Sequence, residues 1–306
     1  MKKVYLNFKL SEEELERLRK ISDELVLVTE REYDVNAIIG KCPPDKLKEY
    51  ENLEWYQSLA IGVDAYINKG VLKEGTVLTN ARGVHSQEVA EHIFGMVVTL
   101  LKNFELYRDN QRENLWHDEG VVKSYKDLKV TIVGFGDIGN HLAKMMKAMG
   151  MYIIGVKRTM IDKPDYVDEL YTSKDLIKAV SDVDVVVTVV PGDKANEHLF
   201  TLDTFKAMRR DTIFVNAGRG NLYTEETLYK VLDDNIVKAV GLDVFEKEPL
   251  DKDSRLWNYR NVLITPHVAG FFHLESAHDD FVDLVEENLR RYINGEELKF
   301  TVKERE

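Results

Sequence analysis

Three glycines in the middle of the chain are spaced so that they could bind a dinucleotide. Gly134, Gly136 and Gly139 fit the pattern G-x-G-x-x-G, directly after an apolar run and before a helical pattern. The first glycine permits the tight turn, the second lets the backbone approach a pyrophosphate, and the third lets helix and strand pack closely. The helix N terminus adds N–H donors and a partial positive charge. We expect dinucleotide binding here; the alternative is an ordinary strand-to-helix turn.

The end of the next predicted strand distinguishes between the two nicotinamide cofactors. In dinucleotide-binding folds an Asp or Glu roughly 20 residues past the glycines binds the ribose hydroxyls of NAD. Here the position holds Lys157, followed by Arg158 and Thr159. Two cations and a hydroxyl suit a 2′-phosphate. The sequence therefore predicts NADP as the favoured cofactor, with NAD possible, unless the cations are merely a solvated pair beyond a strand end.

Three segments in the last third of the chain carry residue types suited to acid–base chemistry and anion binding. They read N-A-G-R-G with Arg219, G-L-D-V-F-E-K-E-P-L with Asp243 and Glu248, and T-P-H-V-A-G with His267. Each follows a predicted parallel strand, and open α/β sheets bind ligands at the carboxyl ends of their strands. We therefore expect them to converge. Singly, His267 could only end a strand and Arg219 could only anchor a loop.

Alternating strand and helix patterns must position these segments, and they predict an α/β fold with parallel sheets. A long helix is expected over Ser86–Phe104, and a polar, mostly helical connection over Asn103–Lys126. A final helix is expected at about Leu274–Tyr292. In the second series the predicted strands are Val130–Val133, Tyr152–Val156, Val183–Val190, Thr212–Asn216, Ala239–Asp243 and Val262–Thr265.

Composition excludes several classes of function. The 306 residues are 44% hydrophobic and carry a net charge of −12, which disfavours non-specific binding to nucleic acid or anionic membranes. The one cysteine, Cys42, can form no disulfide within the chain, which fits a reducing compartment. We expect no transmembrane helix, no signal segment, no metal site and a cytoplasmic location.

The order of the motifs resembles that of the D-specific 2-hydroxyacid dehydrogenase family, which includes D-lactate dehydrogenase and glyoxylate/hydroxypyruvate reductases. The resemblance covers nearly the whole chain. It implies two Rossmann-like or flavodoxin-like domains with a cleft between them. The substrate domain would be discontinuous, over 1–98 and 276–306, and the dinucleotide-binding Rossmann domain would span 99–275. It also implies a homodimer.

The resemblance assigns catalytic roles to three residues. His267 would be the general acid and base, because imidazole titrates near the working pH. Glu248 would hold its other ring nitrogen and favour the protonated form. Arg219 would bind the substrate carboxylate and polarise the carbonyl oxygen. Backbone N–H groups near Ile61 and Gly62 would receive the substrate carboxylate.

The remaining residues implied by the resemblance would bind the cofactor. Asp243 would contact the nicotinamide carboxamide and influence the proton equilibrium of the site, whereas Val190 and Pro191 would flank the adenosine half. Asn196 stands where the family often has Thr. Further cofactor-binding positions would be Asp137, Ile138, Ala217 and Gly218.

The predicted function is therefore NAD(P)H-dependent reduction of a small 2-oxo acid to the D-2-hydroxy acid. An NAD(H)-sensing corepressor or scaffold of the same fold is the alternative, since fold alone does not determine function. Loss of NADPH absorbance with a panel of 2-oxo acids distinguishes the two.

Overall fold

The chain forms two compact units, and the first is assembled from both ends of the sequence. A computed structural model describes residues 1–67, 70–126, 128–270 and 275–302. One unit consists of Met1–His85 and Phe271–Glu306, and the other of Ser86–Gly270. These two units have boundaries at different residues from the expected substrate and dinucleotide-binding domains, whose assignment stays a prediction.

The helices and strands follow one another in the alternation that the sequence predicts. In chain order the strands are β1 (Lys2–Asn7), β2 (Leu25–Val28), β3 (Ala37–Gly40), β4 (Trp55–Gln57), β5 (Val77–Thr79), β6 (Lys129–Val133), β7 (Tyr152–Lys157), β8 (Glu169–Thr172), β9 (Val185–Thr188), β10 (Ile213–Asn216), β11 (Ala239–Leu242), β12 (Val262–Ile264) and β13 (Thr301–Val302). The α-helices are α1 (Glu12–Arg19), α2 (Ser86–Leu101), α3 (Phe104–Arg112), α4 (Asp137–Ala148), α5 (Leu176–Val180), α6 (Leu202–Lys206), α7 (Glu225–Asp233) and α8 (Glu275–Asn294).

Each unit is built on one sheet. Within the described residues, the sheet of the first unit has the order β13-β5-β4-β3-β1-β2, parallel except for the β13–β5 pair. The sheet of the second unit is parallel, with the order β12-β11-β10-β9-β6-β7-β8. The direction of winding reverses between β6 and β9, and such switch points are where doubly wound sheets bind ligands. The predicted α/β class with two parallel-strand sheets is confirmed.

Alternating side chains of β6 face two separate hydrophobic clusters, one on each side of the second sheet. Val130 and Ile132 pack with α2 and α4, whereas Val133 packs with α5 and the helices that follow. Helix α2 lies in the second unit because its apolar side chains Ile93, Val97 and Leu100 belong to the first of these clusters. The expected boundary at residue 98 had placed most of this helix in the other unit.

The polar connection before β6 is helical over a shorter length than expected. Helix α3 ends at Arg112, and residues 113–126 contain no helix. Positive φ angles at Asn114 (53°) and Gly120 (87°) turn the chain in a direction that an α-helix cannot follow. The predicted final helix is confirmed from Glu275 onward; Leu274 lies outside the described residues.

Glu105, in the first turn of α3, has a buried carboxylate oxygen that accepts no hydrogen bond within the described ranges. Burial raises its pKa from 4.5 to about 7; Asp109 and Glu119 reinforce this shift, and Lys238 opposes it. The folded protein therefore binds this proton more tightly than the unfolded chain. Folding stability should consequently fall as the pH rises from about 4.5 to about 7.

Replacing Glu105 with Gln is expected to remove this part of the pH dependence. With allowance for solvent screening of a partly exposed group, the effect is on the order of 1 kcal/mol, or about 2–4 °C in Tm. Thermal unfolding at pH 5 and pH 8 measures it, with the exposed Glu113→Gln as the matched control. Equal pH dependence in wild type and Glu105→Gln would contradict the assignment.

Candidate active site

The glycine turn between β6 and α4 has the geometry of a phosphate cradle. Gly134 has a φ of +98°, and a Cβ atom there would lie 2.7 Å from the carbonyl carbon of Val189. A Cβ on Gly139 would lie 2.9 Å from the Gly134 carbonyl oxygen, so the helix needs glycine to approach the strand. At Gly136 the nearest atom would be 3.9 Å away, which leaves this side of the turn open. The turn therefore fits a dinucleotide pyrophosphate.

Two further predicted cofactor residues open α4. Asp137 is the first residue of the helix, and its carboxylate accepts a hydrogen bond from the Ser86 hydroxyl. Ile138 is half-buried and packs against the cluster that contains α2. Both residues therefore fix the start of the helix whose N–H groups face the turn, and their contact with the cofactor stays a prediction.

The end of β7 holds cations, as the sequence predicts. The Lys157 ammonium donates to the Phe135 carbonyl oxygen at 2.9 Å and so lies against the glycine turn. The Arg158 guanidinium is 2.6 Å from a carboxylate oxygen of Asp193, and Thr159 is exposed. The cationic side chains at this strand end are thus oriented by contacts to the two neighbouring loops.

The loop after β9 is shaped by Asn196. Its side-chain amide donates to the Pro191 carbonyl oxygen at 2.8 Å, while Val190 is buried and Pro191 is exposed. A Thr at position 196, with its shorter side chain and hydroxyl donor, would hold this loop differently. Contact of Val190, Pro191 and Asn196 with the cofactor remains a prediction.

A buried asparagine holds the turn that presents Arg219. The side-chain oxygen of Asn216 accepts from the Thr188 hydroxyl at 2.7 Å and from the Gly218 N–H at 3.0 Å. Its amide nitrogen donates to the Arg219 carbonyl at 2.9 Å and to the Tyr223 hydroxyl at 3.0 Å. All of its hydrogen-bonding capacity is used, so the backbone of the turn is fixed.

The arginine and the preceding residues of this turn lie at the carboxyl end of β10. The Arg219 guanidinium donates to the Gly218 carbonyl oxygen at 2.7 Å, which bends the side chain back over its own turn. Its Cγ atom would be 2.9 Å from a Cβ on Gly192, so the loop after β9 closely borders the arginine. Ala217 is half-buried against the sheet.

His267 and Glu248, which the sequence predicts to act together, are in direct contact, and their catalytic role stays a prediction. The Nδ1 atom of His267 lies 2.6 Å from a carboxylate oxygen of Glu248, and the other oxygen accepts from the Phe245 N–H at 3.0 Å. Both side chains are partly accessible, with 44% and 35% of their surface exposed. Because Glu248 engages Nδ1, proton exchange with a ligand could take place at Nε2.

Asp243 holds the segment around this histidine. The carboxylate is 1% exposed and accepts from the Thr265 hydroxyl at 2.6 Å and from the Val268 and Ala269 N–H groups at 3.0 and 3.1 Å. These bonds stabilise a turn in which His267 has a φ of +53°, an uncommon conformation for a non-glycine residue. Asp243 thus positions the imidazole; its predicted contact with the nicotinamide is not tested.

Sequence reasoning overlooked two residues that complete this arrangement. Thr265 connects Asp243 to His92, whose Nε2 atom lies 3.1 Å from the threonine hydroxyl. Asn216 performs the corresponding role for the arginine turn. Both residues lie in the sequence motifs described above, within three residues of Arg219 or His267. A polar side chain at the end of a predicted strand could have identified them.

Adjacent strands bring the three segments to one edge of the second sheet. The turns that carry Arg219, Asp243 with Glu248, and His267 follow β10, β11 and β12, which are neighbours in the parallel sheet. The glycine turn follows β6 at the same edge. The sequence-predicted convergence at the carboxyl ends of these strands is therefore observed.

The two predicted substrate-binding positions in the first unit are partly buried. The carbonyl oxygen of Ile61 accepts a hydrogen bond from the Asn80 side chain at 2.8 Å, and Gly62 is half-buried. This bond fixes the backbone of the loop. The role of its N–H groups in binding a carboxylate remains a prediction.

The described residues were also compared with the requirements for a reactive thiol, a metal site and a membrane-spanning helix. Burial raises the pKa of the Cys42 thiol to about 11, so the thiol stays protonated. Among the residues that the structure describes, no three His, Cys, Asp or Glu side chains are grouped so as to hold a metal ion. None of the described helices is long and apolar enough to cross a membrane.

Comparison with known proteins relates this chain to a protein family. Residues 94–269 match the family model for the D-isomer specific 2-hydroxyacid dehydrogenase, NAD binding domain. A Dictyostelium discoideum protein named "Probable 2-ketogluconate reductase" is 32% identical over 255 residues, which cover 79% of this chain and 75% of that protein.

Two crystal structures are similar over 99% of both chains. One is a D-isomer specific 2-hydroxyacid dehydrogenase family protein from Aeromonas salmonicida, with 28% identity and a TM-score of 0.87. The other is an NADPH-dependent glyoxylate/hydroxypyruvate reductase from Sinorhizobium meliloti in complex with NADP and sulfate, with 25% identity and a TM-score of 0.82. The chain is thus an NAD(P)-binding oxidoreductase acting on CH–OH groups, and it belongs to the D-isomer specific 2-hydroxyacid dehydrogenase family.

Proposed function

We propose that this enzyme reduces a small 2-oxo acid to the D-2-hydroxy acid and uses NADPH in preference to NADH. The observation that carries the proposal is the His267–Glu248 pair, 2.6 Å apart, on the same sheet edge as Arg219 and the glycine turn. In this proposal the Ser86–Gly270 unit binds the cofactor and the other unit contributes to substrate binding.

His267 supplies the proton in this reaction. A nicotinamide cofactor held at the glycine turn would supply a hydride to the carbonyl carbon, and the carbonyl oxygen would then need a proton. Glu248 holds Nδ1 and stabilises the ring orientation, so that Nε2 faces the oxygen. Asp243 keeps the turn in place through the Val268 and Ala269 N–H groups, so the imidazole needs little reorganisation.

Arg219 binds and polarises the substrate. Its guanidinium has donors in a planar fork, which matches a carboxylate and an adjacent carbonyl oxygen. Charge that develops on the carbonyl oxygen is stabilised by the same group. The backbone N–H groups of Ile61 and Gly62 are proposed as further carboxylate donors. Because glyoxylate and hydroxypyruvate are small, the name of the Sinorhizobium meliloti relative supports a substrate whose C2 carries only hydrogen or a short side chain.

The preference for NADPH rests on the end of β7. Lys157 and Arg158 stand where an NAD-specific site would hold a carboxylate, and Thr159 adds an exposed hydroxyl. The guanidinium can donate two parallel hydrogen bonds to a phosphate. The Sinorhizobium meliloti relative, which has NADP bound, supports this choice.

Oxidation of NADPH and NADH with a panel of 2-oxo acids tests the proposal. Glyoxylate, hydroxypyruvate, pyruvate, 2-oxoisocaproate and phenylpyruvate form the panel. We expect turnover with one or more of the smaller acids and at least a tenfold higher kcat/KM for NADPH, about 1.4 kcal/mol. Chiral analysis of the product should give the D isomer. Absence of turnover with every acid would refute the activity, and a tenfold preference for NADH would refute the cofactor assignment.

A further inference from the structure

An ion pair spans the region above the glycine turn. Arg158, directly after β7, pairs at 2.6 Å with Asp193, in the loop after β9. In the sheet, β6 lies between β7 and β9, and the glycine turn follows β6. A contact between the two outer loops therefore crosses the carboxyl end of β6, where the adenosine half of a dinucleotide must approach the turn.

The two partners of this pair differ in how firmly they are held. The Asp193 side chain is 9% exposed, whereas that of Arg158 is 59% exposed. The Asp193 carbonyl oxygen accepts from the Asn196 N–H at 2.9 Å, and the Asn196 amide in turn holds the Pro191 carbonyl. The backbone at Asp193 is thus held within its loop and its side chain is nearly buried, while the Arg158 guanidinium is open to solvent and to ligands.

We propose that Asp193 is a cofactor-selectivity residue that competes with the 2′-phosphate of NADPH for Arg158. This inference rests on the proposed NADPH site. To bind Arg158, the 2′-phosphate must take over guanidinium donors that the Asp193 carboxylate engages, so the ion pair has to weaken before the phosphate is bound. NADH lacks that phosphate and leaves the ion pair intact. Asp193 therefore lowers the affinity for NADPH but not for NADH. The preference of the wild-type enzyme for NADPH is the affinity that Arg158 adds less the affinity that Asp193 removes.

Binding measurements on the whole enzyme without substrate test the competition. Kd values for NADPH and NADH are measured by calorimetry for wild type, Asp193→Asn, Arg158→Ala and the double variant. Asp193→Asn removes the charge and keeps the side-chain shape. Glu197→Gln, an exposed position in the same loop, is the matched control for loss of one negative charge. Thermal unfolding checks that every variant is folded.

The expected result is selective in two ways. Asp193→Asn should tighten NADPH binding by about five- to tenfold, equivalent to about 1–1.4 kcal/mol, and change NADH binding by less than about twofold. The gain should disappear in the Arg158→Ala background, and Glu197→Gln should change neither Kd. Adenosine 2′,5′-bisphosphate should show the same gain as NADPH, and 5′-AMP should show none.

Two results separate this inference from the proposal that it rests on. If Arg158→Ala weakens NADPH binding but Asp193→Asn leaves it unchanged, the competition by Asp193 is refuted and the NADPH site stands. If Arg158→Ala leaves NADPH binding unchanged, the proposed NADPH site is itself wrong. An equal gain for both cofactors, or a gain that persists without Arg158, also overturns the inference.

Discussion

Replacement of His267 with alanine is expected to lower kcat for 2-oxo acid reduction by about 10²–10⁴-fold, the range typical for loss of a general acid. The imidazole is the titratable group that Glu248 orients at 2.6 Å, and alanine has no proton to give. Binding of NADPH should be unchanged, because the glycine turn and the cations after β7 are untouched. Steady-state kinetics at saturating cofactor measure the effect.

Matched variants show whether the loss of kcat in His267→Ala is specific to this histidine. His117 is exposed in the connection before β6, so His117→Ala should leave kcat unchanged. Glu248→Gln retains a side chain that can contact Nδ1 but removes the negative charge, and should lower the maximum of kcat/KM. A loss of less than threefold in His267→Ala would refute its role.

Replacement of Arg219 with alanine is expected to lower kcat/KM by about 10²–10³-fold, comparable to loss of one oxyanion-stabilising group. The variant loses the carboxylate anchor and the polarising charge together, so KM should rise while kcat falls. The turn itself should persist, because its backbone is held by the Asn216 side chain. The best substrate of the panel, assayed with NADPH, provides the measurement.

An arginine at the opposite end of the same strand provides the control for charge. Arg210 is exposed and precedes β10, whereas Arg219 follows it. Arg210→Ala should therefore leave kcat/KM within about twofold. Arg219→Lys should recover only part of the activity, since a single ammonium cannot form the bidentate contact. A loss below threefold in Arg219→Ala would contradict the substrate-binding role.

Local spacing in the sequence was sufficient to predict which candidate residues follow parallel strands, whereas their roles in binding and catalysis stay predictions. The glycine turn, Lys157, Arg219, Glu248 and His267 were found in this way, because parallel strands bring their carboxyl ends to one edge. The sequence did not predict the roles of Asn216 and Thr265, because these depend on hydrogen bonds to side chains on neighbouring strands or loops. Only the register of the sheet defines those contacts.

Errors in the predicted elements also have physical causes. Strand β8 was missed because it is a half-buried edge strand, Glu169–Thr172, without a clear alternation of apolar residues. The position of α2 in the sequence was predicted, but its place in the second unit was not. An apolar helix face does not show which of the two sheets the helix covers. The connection expected to be mostly helical over Asn103–Lys126 is helical only to Arg112, because helix propensity did not anticipate the left-handed turn at Asn114.

The hydrogen bonds from Thr265, Val268 and Ala269 to Asp243 connect the loop after β12 to the loop after β11. The backbone that carries His267 is consequently held by the neighbouring strand of the parallel sheet as well as by its own loop. Substitutions made in other loops to change substrate preference are therefore expected to leave the orientation of the His267 imidazole unchanged.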